Sequence, residues 1–133
     1  SNLSSTRALR DVTVKHGGEY FAAAVGEVNV VTKMKEVNAV IGGEGNGGVI
    51  YPASHYGRDA LVGVAILLSH LAKLGKKMSE YRAELPQYFM SKNKITLTPE
   101  LDIDGLLDAM QKKYAHENHT TIDGLKIDFE NKK

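Results

Sequence analysis

Residues Ile41 to Pro52, IGGEGNGGVIYP, place five glycines within the seven positions 42–48 and set Glu44 and Asn46 between them. Glycine loses extra backbone entropy on folding. The pattern therefore suits a loop that needs positive φ or that lets a partner come close to the main chain. Glu44 accepts hydrogen bonds, and Asn46 both donates and accepts them. That is the chemistry for holding a hydroxyl-rich ligand such as a sugar ring against Gly43, Gly45 and Gly47. Two other ligand loops compete. A phosphate loop requires Lys-Ser/Thr after its last glycine, and Val49-Ile50 stands there instead. A dinucleotide fingerprint has the spacing of Gly43, Gly45 and Gly48, but it must open a helix, and the residues that follow read as strand. A plain glycine-rich turn with a solvated Glu44 stays open beside the sugar reading.

Other polar residues have two readings each. Arg58 and His55 flank the loop and are placed to meet an anionic group; a salt bridge from Arg58 to Asp59, or solvation at a helix start, explains Arg58 as well. His55 reads as a surface residue. Glu27 follows Gly26 and suits the first turn of a helix. His116 and His119 bracket Glu117 near a helix end, where solvation outweighs a metal pair.

These residues need elements to position them. Ser4 and Ser5 read as N-caps for a helix with Ala8, Leu9 and Val12 on one face, ended by Gly17-Gly18. EYFAAAV reads as a short buried strand. Val30, Met34 and Val37 have helical spacing. NAVIGGE and GVIYPA read as strands on either side of the glycine loop. Arg58 to Leu74, apolar nearly all round, predicts a central buried helix that stops at Gly75. Ser79 reads as the N-cap of a short helix ending before Pro86. QYFMSKNKITLTPE is extended and polar. Thr98-Pro99-Glu100 predicts a helix start, with the helix running to about Asn118. Ile122, Leu125, Ile127 and Phe129 alternate around Asp123-Gly124, a hairpin signature. Two strands alone do not make a stable sheet, so the hairpin is expected to need further strands.

The chain of 133 residues is long enough to bury a core, and its 42% hydrophobic and 25% charged content is that of a globular protein. A formal net charge of +1 gives no broad basic surface for nucleic acid or membrane. There is no cysteine, which excludes disulfides and thiolate metal sites. No apolar run reaches the roughly 18 residues of a membrane span.

The block GGEGNGG followed by GRDALVGVAILL resembles the sugar-binding loop and succeeding helix of the α-D-phosphohexomutases. In that family the third domain carries Gly-Glu-x-Ser-Gly-His, and Gly43-Glu44-Gly45-Asn46-Gly47-Gly48 falls on it. Asn46 stands at the serine position and Gly48 at the histidine position, departures that resemble the phosphoglucosamine-mutase-like branch. NLSSTRALRDV resembles the stretch after the first strand of that domain, and TTIDGLKIDF resembles the opening hairpin of the fourth.

The resemblance implies an α/β fold with a mixed β-sheet covered by helices over residues 1–90, its first strand lying outside the chain. It implies a linker and a truncated α+β beginning of the fourth domain over 91–133. It implies a cytoplasmic isomerase that moves phosphate between the 1- and 6-positions of a hexose through a bisphosphate. Mg²⁺ and a hexose 1,6-bisphosphate activator would serve the complete enzyme. The phosphoserine and magnesium loops would lie in the first and second domains, so the chain alone is expected to be inactive. The site residues it implies are Glu44 and Asn46 on sugar hydroxyls and Gly43, Gly45 and Gly47 shaping the loop, with no catalytic or metal-ligating residue. Glu27 falls where relatives carry a substrate-proximal polar residue, a reading that stands beside its helix-start one. Arg58, from its place beside the loop, is the candidate for a phosphate. The different class of reading is a stand-alone α/β module that binds a nucleotide or a partner without catalysis.

Overall fold

The computed structural model describes residues 1–129, which form two units, Ser1–Tyr88 and the residues from Phe89 onward.

In the first unit, α1 (Arg7–Lys15) starts at Thr6, whose hydroxyl accepts from Ala8 N at 3.3 Å. This corrects the expectation that Ser4 and Ser5 cap the helix: both hydroxyls turn instead to Asn2 Oδ1, each at 3.0 Å. The segment EYFAAAV is no regular strand; only Ala23 pairs, in a parallel bridge with Asn2. α2 (Glu27–Glu36) buries Val30 and Met34, as their spacing predicts. Three short strands follow: β1 (Gly42–Gly43), β2 (Val49–Tyr51) and β3 (His55–Arg58). They form an antiparallel sheet with Gly42 opposite Ile50 and Ile50 opposite Arg58, and with an irregularity between Ile50 and Tyr51. Ala23, Val30, Met34 and Ile50 make one core cluster, with Val31 and Ala39 packed against it. Helices and small sheets thus share this unit, an α/β arrangement.

α3 (Ala60–Leu74) opens at Asp59, whose carboxylate accepts from Val62 N at 3.0 Å, and closes at Gly75 in the left-handed region. It is not the buried central helix that its apolarity predicts. Leu61 is 81% exposed and Leu68 59%, and only Leu71 is buried. Gly63 brings the helix against Val49, so close that an added Cβ would lie 2.9 Å from Val49 Cγ2. A three-stranded sheet of two- to four-residue strands is narrow, and it meets only one stripe of the helix. α4 (Met78–Glu84) has Lys77, not Ser79, at its N-cap, and the Lys77 N–H donates to Glu80 at 2.8 Å. Tyr88 donates to Asp11 on α1, and that bond to a carboxylate pushes its phenol above the ordinary value.

In the second unit, residues 91–98 have no regular structure. α5 (Ile103–Lys113) begins later and ends earlier than Thr98-Pro99 and Asn118 suggest. Its cap is Asp102, which accepts from Gly105 N at 2.9 Å. β4 (Asn118–Thr120) and β5 (Lys126–Asp128) form the expected antiparallel hairpin, with Gly124 at φ 71° in the turn. Tyr114 and Phe129 meet edge to face at 5.6 Å.

Candidate ligand site at the glycine loop

The loop joining β1 to β2 is closed by its own main chain: Glu44 N donates to Gly48 O at 2.9 Å, and Gly47 N to Glu44 O at 3.1 Å. Asn46 Oδ1 accepts from Gly48 N at 3.0 Å, an Asx-type turn in which the amide side chain stands in for backbone. Gly47 has φ 92°, which only glycine adopts without strain. Gly43 and Gly45 are required for a different reason. An added Cβ on Gly43 would collide with Gly48 O, and one on Gly45 would lie 2.8 Å from Ser4 O. Gly43 and Gly45 therefore serve close approach, but the partner that approaches Gly45 is the chain's own residues 4–5.

The Glu44 carboxylate is held on two sides. Oε1 accepts from Asn2 Nδ2 at 3.0 Å, and Oε2 accepts from Arg58 Nη1 at 3.3 Å. Its side chain is 5% exposed, so it is not the solvated carboxylate of a plain turn. Arg58 also reaches Glu27. Its Nε donates to Glu27 Oε2 at 2.8 Å and its backbone N–H to Oε1 at 3.2 Å. Arg58 thus pairs with Glu27 and Glu44, and the guanidinium fork suits two carboxylates at once. Asp59 pairs with His55 instead, Oδ2 to Nε2 at 3.0 Å. Because His55 Nδ1 accepts from Gly57 N at 2.9 Å, the ring proton sits on Nε2 and is donated to Asp59. The Val62 backbone N–H, and after it His55, hold the Asp59 carboxyl below its ordinary value.

An open depression beside the loop is lined by Glu27, Asn46, Gly47, Gly48, Gly57, Arg58 and Ala60. Asn46 and Arg58 thus line a surface that a ligand can reach, and Glu44 lies behind Arg58. Glu27 lines the same depression while also opening α2, so its two readings meet in one place. Sequence reasoning missed Asn2; the only signal was the Asn-x-Ser-Ser run, which has the composition of a side-chain-capped turn. The carboxylates here offer no magnesium site. Glu27 and Glu44 share one guanidinium, and no three His, Asp or Glu side chains come together among the described residues. His119 bonds to Gln111 and to the Glu117 carbonyl.

The site is that of an α/β domain with a reachable polar cleft, set where a glycine hairpin meets the start of a helix. Residues 1–89 match the family described as phosphoglucomutase/phosphomannomutase, alpha/beta/alpha domain III, and the chain belongs to that family. It is similar to a phosphoglucomutase/phosphomannomutase of Thermococcus kodakarensis, 34% identical over 98% of this chain and 28% of that protein. It is similar to a phosphoglucosamine/phosphogalactosamine mutase of Sulfurisphaera tokodaii, 31% identical over 94% of this chain and 28% of that protein. A phosphomannomutase/phosphoglucomutase of Pseudomonas putida is 29% identical over 98% of this chain and 29% of its own length. The chain therefore spans less than a third of the curated relatives it matches. Among the described residues, no helix is long and apolar enough to cross a membrane.

Proposed function

We propose that this chain supplies the sugar-contacting domain of a phosphohexomutase, an enzyme that shifts phosphate between the 1- and 6-positions of a hexose through a bisphosphate. The observation that carries the reading is the domain III match over residues 1–89, which includes a glycine loop whose Asn46, with the neighbouring Arg58, lines a reachable cleft and whose Glu44 lies behind Arg58. Residues 91–133 are read as a linker and the beginning of the fourth domain.

A sugar that is phosphorylated at both ends must bind in two orientations. A loop that contacts hydroxyls common to both suits that need. Glu44 uses one lone pair on each oxygen within the chain, and its remaining acceptor capacity becomes available to hydroxyls when Arg58, which stands in front of it, turns to the ligand phosphate. Asn46 offers its amide, and Arg58 offers a cation for phosphate. Gly43, Gly45 and Gly47 give the loop its shape. The phosphoserine and magnesium loops are assigned to other domains of the complete enzyme, as is the binding of the activating bisphosphate. The reaction would take place in the cytoplasm.

The test is a coupled assay with glucose 1-phosphate or glucosamine 6-phosphate plus the activating bisphosphate. The complete enzyme should turn over. The isolated 133 residues should not rise above blank, and clear turnover by them would refute the division of labour proposed here.

A further inference from the structure

We propose that Asn2 is a positioning residue for the mutase reaction, fixing the loop carboxylate of Glu44 from behind while Arg58 holds it from the cleft side. The proposal rests on the sugar-contacting role given to Glu44 above.

Asn2 is 2% exposed, and it is the one polar residue in the buried class among the described residues. A buried amide must have its donors and acceptors matched. Its Oδ1 accepts from the hydroxyls of Ser4 and Ser5, both at 3.0 Å, and its Nδ2 donates to Glu44 Oε1 at 3.0 Å. The orientation of the amide follows from its partners. An ionised carboxylate only accepts, so the NH₂ must face Glu44 and the carbonyl must face the two hydroxyls. The serines thus fix the amide, and the amide fixes the carboxylate.

Two further contacts show that residues 1–5 cradle the loop as a whole. Ser1 Oγ donates to Gly43 O at 3.0 Å. The Gly45 backbone lies against Ser4 and Ser5, with no room for a side chain. The segment is itself anchored to the core residue Ala23, with Leu3 N donating to Ala23 O at 3.0 Å and Ala23 N to Ser1 O at 2.9 Å. A carboxylate that must meet hydroxyls in two sugar orientations gains from being immobilised before the ligand arrives, because its ordering entropy is not then lost on binding.

The experiment uses the complete enzyme with glucose 1-phosphate as probe and compares kcat/KM for Glu44→Ala, Asn2→Ala and the Asn2→Ala/Glu44→Ala double variant. Alanine at position 44 removes the acceptor that Asn2 Nδ2 meets, so the cycle isolates the pair, which a merely structural Asn2 would leave additive. The expected result is a loss of about tenfold or more for Asn2→Ala, shrinking to less than about twofold once Glu44 is already Ala. Additive losses in the double variant, or near-wild-type kinetics for Asn2→Ala, overturn the positioning role while leaving the sugar role of Glu44 standing. Wild-type kinetics for Glu44→Ala overturn both.

Discussion

Arg58 bridges two carboxylates that lie 31 and 14 residues from it, Glu27 at 2.8 Å and Glu44 at 3.3 Å. Its side chain is 46% exposed, and that of Glu44 is 5% exposed. The two pairs should differ in worth. Double-mutant cycles should give the Arg58–Glu27 pair below about 1 kcal/mol, because both groups meet solvent. Removing Arg58 strips a covered carboxylate of its cation, so the Arg58–Glu44 coupling should reach about 1–3 kcal/mol. Arg58→Lys should not restore it, since an ammonium cannot span both carboxylates as the fork does. Equal couplings for the two pairs would contradict the geometry.

Glu44→Gln in the complete enzyme should lower kcat/KM by about 10- to 100-fold. The melting temperature should fall as well, because the carboxylate is tied to Asn2 and Arg58 and is not waving in solvent. Apo stability therefore does not separate a ligand role from a structural one. The informative quantity is the rise in Tm on adding saturating glucose 1-phosphate, which should shrink in the variant in step with its weaker binding. An unchanged rise would remove Glu44 from the sugar site.

The loop glycines should respond differently to alanine. Gly47→Ala meets no neighbour but must hold φ 92°, a strain of about 1–3 kcal/mol that thermal melts should register. Gly45→Ala pushes the loop off the backbone of Ser4 and Ser5. It should weaken hexose phosphate affinity more than Gly47→Ala does for the same loss of stability. Comparing Kd with Tm for the two variants checks this, and the opposite order would mean that the cradle does not set the loop's position.

Asp59 caps α3 and bonds His55, and its folded carboxyl sits below its unfolded value. Its contribution is present above the unfolded value and is lost as pH falls through the folded one. Asp59→Ala should lower Tm by about 4–8 °C at neutral pH. The difference from wild type should close as both are titrated below the usual carboxylate range. A difference that persists in strong acid would assign the effect to packing rather than to the charged cap.

Much of this chain could be read locally. Val30 and Met34 share a helical face at a spacing of four, and both are buried. Gly75 stops α3 in the left-handed region, and Asp123-Gly124 turns the hairpin, because these effects act within a few residues of backbone. The GGEGNGG block set the family resemblance, and the match over residues 1–89 supports it. What failed depended on segments distant along the chain. The apolarity of α3 states how much of it prefers to leave water, but not which surfaces are present to cover it, so Leu61 and Leu68 stand exposed.

The residue types determined that the loop would bend freely, carry an acceptor at Glu44 and lead into a capped helix, since composition and short-range geometry suffice for each. Only the tertiary structure decided that Glu44 meets Asn2 across 42 residues, that Arg58 turns away from Asp59 to Glu27 and Glu44, and that Gly45 is small because Ser4 lies beneath it. Each of those pairings exists because the Asn2–Ala23 bridge, α2 and the β1–β2 strand pair converge on Ile50 and its core, and no local sequence pattern encodes that convergence.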